Sequence, residues 1–274
     1  MSLGKGLPNL GNTCYLNSIL QCLRYSKPFV FLLKEYDAKT ETRVMRNFID
    51  LLFSGAPRGT LNSFVHNLAI SNTEFRLLRQ CDAHELYLYL IDTLYSNKNF
   101  KYKNVFQGTM QSTVSCDVCS QHSITQTPFI SLSLQMSINS IQGVSELIEC
   151  FTKTESLEDK IQCDNCNKKQ SSKRKIDICK GPEILVIHLK RFQGLQKINT
   201  PISLDKYITV VGNKYTLYAV CNHTGSVNGG HYTAACKKRD GTWIMCNDNF
   251  STDVNSLPMQ SSSPYILFYK SVIM

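Results

Sequence analysis

Cys14 ends the stretch GLPNLGNTC and opens a run in which Leu16, Ile19, Leu20 and Leu23 recur at helical spacing. Gly6, Pro8, Gly11 and Asn12 are turn residues, so a loop passes into a helix at Cys14. A thiol in the first turn of a helix meets unpaired backbone N–H groups and the positive end of the dipole, which favour the thiolate and are expected to lower its pKa. Such a thiolate is a nucleophile for carbonyl carbon. Asn9 offers a side-chain amide that can point, with those N–H groups, at the oxygen of a tetrahedral intermediate; it can equally stabilise the turn.

The nucleophile needs a partner that takes its proton and later protonates a leaving amine, and histidine suits that task near neutral pH. Of six histidines, His66 and His122 have polar neighbours, His84 lies on a helical pattern, and His188 lies in an apolar strand as a satisfied core histidine would. His223 and His231 remain. His231 follows Gly229-Gly230 and opens a strand that returns through Asp240-Gly241 to Asn247-Asp248. A strict two-residue turn would pair His231 with Phe250. A loop of three or four residues brings Asn247 or Asp248 opposite, completing a Cys-His-Asn/Asp triad, and the longer loop is expected.

Cys116-x-x-Cys119 and Cys163-x-x-Cys166 form two knuckles at strand ends that can supply four thiolates to a tetrahedral Zn²⁺. The 43 residues between Cys119 and Cys163 must fold back so that two hairpins meet at the metal. Four reduced thiols without metal are the alternative. Cys22, Cys150, Cys179 and Cys221 read as small buried hydrophobes. Asp82-x-x-Glu85 has the shape of a helix capping box, and the same two carboxylates could receive arginines of a basic peptide.

The elements that hold these residues divide the chain. Up to about residue 100 it reads as helical, with Ala83, Leu86, Tyr87, Leu90 and Leu94 marking one helix face; afterwards it reads as strand, with one helical pattern at Val144, Leu147, Ile148 and Phe151. Strands are expected at 183–192, 214–223, 231–238, 242–247 and 264–270. Helices first and strands afterwards give an α+β arrangement, and no GxGxxG or GxxxxGK motif supports a nucleotide fold.

With 42% hydrophobic and 19% charged residues the 274-residue chain can offset its ordering entropy. It has no run of 18 apolar residues and no signal-like N-terminus, so a soluble protein of cytoplasm and/or nucleus, without membrane partners, is expected. Twelve cysteines in such a chain read as reduced thiols, metal ligands or a nucleophile. The net charge of +9 is partly gathered in Lys168, Lys169, Lys173, Arg174 and Lys175. That run lacks interleaved aromatics, so it reads as a solvated hairpin tip and no nucleic acid partner is expected.

Together GLPNLGNTCYLNSILQCL, RQCDAHELYLYLIDTLY, the two CxxC pairs, ILVIHLKRF, YAVCNHTGSVNGGHYTAACK and the W-x-x-x-N-D ending resemble the ubiquitin-specific proteases, from Gly6 to about Tyr269. The resemblance implies one catalytic domain over 1–274 with a papain-like hand: a helical thumb (about 1–101), zinc-bearing β fingers (about 102–128 and 157–182) and an antiparallel β palm. It implies a deubiquitinating cysteine protease, a thiol-dependent ubiquitinyl hydrolase cleaving after the C-terminal Gly-Gly of ubiquitin through a Cys14 thioester, with His231 as general base and acid. By the same carry-over Asn9 helps form the oxyanion hole, Asn247 orients His231, and Asp248 lies beside it as an auxiliary polar group. Asp82 and Glu85 match an acidic pair near the arginine-containing ubiquitin tail, and His223, in a loop, flanks the tail channel with Gly230. The four knuckle cysteines hold structural zinc, and no catalytic cofactor is implied. His84, Cys81 and Cys246 depart from the family's commoner residues. The partners implied are ubiquitin and ubiquitinated proteins or polyubiquitin, acted on by a monomer. A protease for another ubiquitin-like modifier, or a non-catalytic ubiquitin-binding zinc scaffold, are the alternatives.

Overall fold

The computed structural model describes residues 6–272 apart from 55–56, 77, 195 and 228, and apart from the side chain of Thr40. Residues 1–5 and 273–274 of the expected domain lie outside it. Five helices come first: α1 (Cys14–Arg24), α2 (Lys27–Lys34), α3 (Arg43–Phe53), α4 (Arg58–Ser71) and α5 (Ala83–Ser96). Side-chain caps start two of them. Thr42 Oγ1 accepts from Met45 N before α3, and Asp82 Oδ1 accepts from His84 N and Glu85 N before α5. Helix α3 buries the stripe Val44, Met45, Phe48, Ile49, Leu51 and Leu52, whereas all eleven residues of α1 are buried. A helix buried all round has neighbours on every side. Helix α1 packs against α2, α3 and α5 on one side and against sheet strands on the other.

The strands follow as β1 (Gly108–Cys116), β2 (His122–Phe129) and β3 (Leu132–Gln135), then, after helix α6 (Val144–Thr152), β4 (Ile161–Cys163), β5 (Lys168–Gln170), β6 (Ser172–Lys180), β7 (Ile184–Lys190), β8 (Tyr207–Val210), β9 (Asn213–Ser226), β10 (Gly229–Lys237), β11 (Trp243–Asn247), β12 (Phe250–Val254) and β13 (Pro264–Ser271). The palm sheet has the order β12-β11-β10-β9-β13-β7-β3, with β8 paired to β9. Its ladders are antiparallel except β3–β7. The apolar run of β7 has a simple cause: Ile184 and Val186 face the cluster built on α1, while Leu185, Ile187 and Leu189 face the cluster of Val144, Leu147 and Ile148 from α6. Side-chain alternation thus serves two cores from one strand.

Strands β1, β2 and β6, with the short strand 155–156 paired to β6, form a separate, mostly exposed sheet, and β4–β5 a small hairpin beside it. The basic run lies here, and three of its members are neutralised: Lys173 by Asp117, Arg174 by Glu155 and Lys175 by Asp177. The expected strand at 183–192 ends earlier, at Lys190. Arg191 turns inward, fully buried, and donates to the carbonyls of Pro264, Ile198 and Thr200, which anchors the short hairpin pairing 192–193 with 196–197. Cys150 and Cys179 are exposed, not the buried hydrophobes expected of them, while Cys22 and Cys221 are buried. Among the described residues, no helix is long and apolar enough to cross a membrane.

Candidate active site

Cys14 is the first residue of α1, as the turn chemistry before it dictates. Asn12 takes φ 58° and Gly11 φ 100°, and Asn9 Oδ1 accepts from Gly11 N (3.0 Å) and Thr13 N (3.2 Å), so Asn9 stabilises the turn. Its amide nitrogen points the other way and donates to Asp248 Oδ2 (2.9 Å), and among the described residues its second N–H makes no bond. The thiol departs from expectation. It is 3% exposed, and burial pushes its pKa up from the usual value. Backbone N–H groups at Tyr232, Tyr15 and Cys14 oppose that rise, and the charge of Asp248 adds to it. The helix start does favour the thiolate, but desolvation is the larger effect.

His231 sits near the start of β10, and its hairpin partner arrives through a three-residue loop. Lys238 N donates to Thr242 O, Gly241 takes φ 90°, and Asp240 Oδ1 accepts from Thr242 N and Oγ1. The ladder runs from Lys237↔Trp243 to Ala234↔Cys246 and stops, so one further step would oppose Asn247 to Thr233. Asn247 is therefore a diagonal neighbour of His231 on the same sheet face, not the directly opposed residue the longer loop was expected to give. Its side chain spans that diagonal, with Oδ1 2.7 Å from His231 Nε2. An amide oxygen only accepts, so Nε2 carries the hydrogen, and when the ring is neutral the lone pair is on Nδ1.

Asp248 follows at φ 48°, in the tight turn that pairs Asn247 with Phe250. It faces the amides: Oδ2 takes Asn9 Nδ2 and Oδ1 takes Asn17 Nδ2 (2.8 Å), while His231 Nε2 lies 3.9 Å away. The turn is held against the segment before α1 by Leu7 N donating to Asp248 O (2.7 Å). Gly6 permits that approach, since a Cβ there would stand 2.2 Å from the Asn249 carbonyl carbon.

A cleft beside this site is lined by Arg79, Gln80, Cys81, Asp82, Phe192 and His223, with Ser226, Val227 and Tyr232 completing it. Gln80 bridges it: Nε2 donates to Gly230 O, and Gly230 N donates to Oε1 (3.1 Å). Asp82 is engaged on both oxygens, Oδ1 capping α5 and Oδ2 accepting from Tyr265. Glu85 is the exposed carboxylate of the pair, and burial together with Asp82 and Glu74 raises its pKa. His223 is not in a loop. Strand β9 continues past it, pairing Thr224 with His231 and Ser226 with Gly229, so the imidazole is only 3% exposed. It packs on Tyr232 and Phe192, and burial lowers its pKa to about 4. Gly230 makes room for this ring, because a Cβ there would meet His223 Nε2 at 2.2 Å.

Far along the fingers, the sulfurs of Cys116, Cys119, Cys163 and Cys166 lie within 4.8 Å of one another. The two knuckles match in detail: Cys116 ends β1 and Cys163 ends β4, and the residue after each second cysteine, Ser120 and Asn167, takes positive φ (57° and 53°). Hydrogen bonds from the Asn165 side chain and the Gln121 backbone lower the Cys119 pKa to about 6. Four sulfurs at this spacing, one already favoured as thiolate, fit a tetrahedral zinc site.

The profile of the ubiquitin carboxyl-terminal hydrolase family matches residues 5–269. The chain belongs to this family. Among its relatives are ubiquitin carboxyl-terminal hydrolase 23 of Arabidopsis thaliana, 31% identical over 306 residues, and hydrolase 25 of the same plant, 32% identical over 315. These alignments take in 97% and 96% of this chain but 35% and 47% of the relatives, so the chain spans roughly a third to a half of their length. Among solved structures it is similar to a chain of the SAGA DUB module Ubp8/Sgf11/Sus1/Sgf73 bound to monoubiquitin, with TM-score 0.84, 26% identity and coverage of 98% of this chain and 69% of that one. The same module bound to ubiquitin aldehyde gives TM-score 0.85 and 25% identity over 98% and 70%. The helices, palm sheet and cysteine-tipped fingers are the hand-like α+β fold of this family's catalytic domains.

Within this ubiquitin carboxyl-terminal hydrolase fold, three functional candidates escaped the reading of the sequence. Asn17 is an amide on the buried face of an apolar helix, a mismatch that signals a polar contact. Gln80 lies in a loop and meets Gly230 only across 150 positions of sequence, so no local pattern reveals it. Arg191 falls within the strand expected at 183–192, although a charge after an apolar run is a signal of its own.

Proposed function

We propose that this chain is the catalytic unit of a deubiquitinating cysteine protease that hydrolyses the bond after the C-terminal Gly-Gly of ubiquitin. The observation that carries the reading is the Nε2–Oδ1 contact of 2.7 Å between His231 and Asn247, which leaves Nδ1 as the base on the strand that passes Cys14 at Tyr232. His231 takes the thiol proton, and the sulfur attacks the carbonyl carbon of the terminal glycine. The second N–H of Asn9 and the N–H groups at the start of α1 stabilise the oxygen of the tetrahedral intermediate. His231 then protonates the departing lysine amine, and water, deprotonated by the same ring, resolves the thioester.

The cleft bridged by Gln80 and Gly230 suits a tail without side chains at its end, and exposed Glu85, one turn along α5 from the cleft residue Asp82, receives a tail arginine. The test is ubiquitin bearing a C-terminal electrophile. An adduct that forms on the wild-type chain and disappears in Cys14→Ser supports the proposal; its absence from the wild type refutes it. Parallel probes built on other ubiquitin-like modifiers decide whether ubiquitin is the preferred one.

Zinc belongs to the same proposal. Bound by Cys116, Cys119, Cys163 and Cys166, it would tie the β1–β2 hairpin to the β4–β5 hairpin and stiffen the fingers that hold the body of ubiquitin. One zinc per chain by metal analysis, lost in Cys163→Ser together with ubiquitin affinity, is the expected result. A metal-free chain of full affinity would refute it.

A further inference from the structure

A cavity of about 270 Å³ lies where the connection between α1 and α2 meets β9, β13 and the β10–β11 loop. Its lining includes Lys27, Lys237, Lys238, Arg239 and Lys270. Lys238 is paired with Asp240 and Asp253, but among the described residues the other four cations make no ion pair. Their fields add: Lys27 is pushed down in pKa first by burial and then by the charges of Lys270 and Arg239. Unbalanced like charge around a concavity favours an anion there.

The start of α2 points the same way. Ser26 immediately precedes α2 and makes no capping hydrogen bond, so the N–H groups of Lys27 and Phe29 have no side-chain acceptor at the helix start, and Pro28 between them has none to donate. Ser26 and Tyr218 are lining residues, 1% and 5% exposed, whose hydroxyls are enclosed and set against each other.

We propose that this cavity is a binding site for a small anion carrying two or more phosphate groups, held by Arg239, Lys270, Lys27 and Lys237 and by the start of α2. The cavity is at the small end of ligand pockets, which suits a compact anion and not a folded partner. Its location differs from the cleft and cysteine pair described above, so the site stands whether or not the proposed activity does.

The single tryptophan, Trp243, follows the β10–β11 loop directly and serves as the reporter. Its fluorescence is titrated with inorganic pyrophosphate, and separately with inorganic phosphate, at constant ionic strength so that screening does not imitate binding. Saturable pyrophosphate binding, tighter than that of phosphate, is expected. Affinity should fall about tenfold or more in Arg239→Glu/Lys270→Glu, as lost charge-assisted bonds require. The control is Lys168→Glu/Lys169→Glu on the fingers, with the same charge change far away. Equal losses in both double variants would show general attraction to a basic protein and overturn the site. So would the absence of saturable binding to the wild type. Circular dichroism of each variant confirms that it is folded.

Discussion

Separate replacement of Asn247 and Asp248 by alanine distinguishes orienting the imidazole from building the loop around the thiol. Asn247 contributes one hydrogen bond to a side chain that is 40% exposed, so water replaces the lost acceptor and no buried group is orphaned. Its removal should cost less than about 1 kcal/mol of stability. The ring, however, loses its fixed tautomer and direction, and kcat should fall about ten- to a hundredfold, equivalent to about 1.4–2.7 kcal/mol of transition-state stabilisation. Asp248 instead accepts from Asn9 at 2.9 Å and from buried Asn17 at 2.8 Å. Hydrogen bonds to a charged group contribute about 1.5–3 kcal/mol each, although Asn17 retains the carbonyls of Leu7 and Pro8. Asp248→Ala should therefore destabilise the fold by about 2–4 kcal/mol and also lower kcat by releasing Asn9. The assay is cleavage of ubiquitin with a fluorogenic C-terminal amide, with urea unfolding of each variant alongside. Wild-type kcat in Asn247→Ala, or equal stability of the two variants, would refute this division of labour.

Alkylation of Cys14 in the free protein, followed by mass spectrometry, should accelerate as pH rises past the ordinary thiol value of 9.0, because burial and Asp248 both favour the protonated form; Asp248→Asn should shift the profile to lower pH. A plateau already reached at pH 6 would contradict it. Acid should unfold the protein through His84 and His188, which stack at 3.9 Å and whose pKa values burial lowers to about 4 and about 3. Below pH 6.5 the unfolded rings take up protons that the folded ones refuse, so stability falls with pH until those folded values are reached, by about 2 kcal/mol per ring between pH 7 and 5. Urea midpoints that do not move over that interval would exclude the effect. Gly230→Ala should lower kcat more than a hundredfold and destabilise the fold by about 2 kcal/mol or more, since its Cβ would overlap His223 Nε2 and the Thr224 carbonyl oxygen. A stable, active alanine variant would show that the sheet edge yields.

What was legible in the sequence was local. Turn residues followed by a helical apolar period place Cys14 at a helix start, the apolar run of β7 marks a buried strand, and two CxxC pairs announce four sulfurs. Each signal arises from interactions within a few residues, which a linear pattern can express. The protonation of Cys14 was not local: the helix start favours the thiolate, and the burial that outweighs it comes from strands more than 200 residues away. His223 likewise lies in a loop by the resemblance alone, and the ladder with β10 carries its strand onward. The choice between Asn247 and Asp248 required hairpin register, the φ of 48° at Asp248 and the amides of Asn9 and Asn17, none of which lies in one stretch of chain. Sequence by itself determined the chemical groups and the elements that bear them. Tertiary structure decided which groups face one another and how dry they are, because desolvation and hydrogen-bond pairing depend on neighbours that only folding supplies.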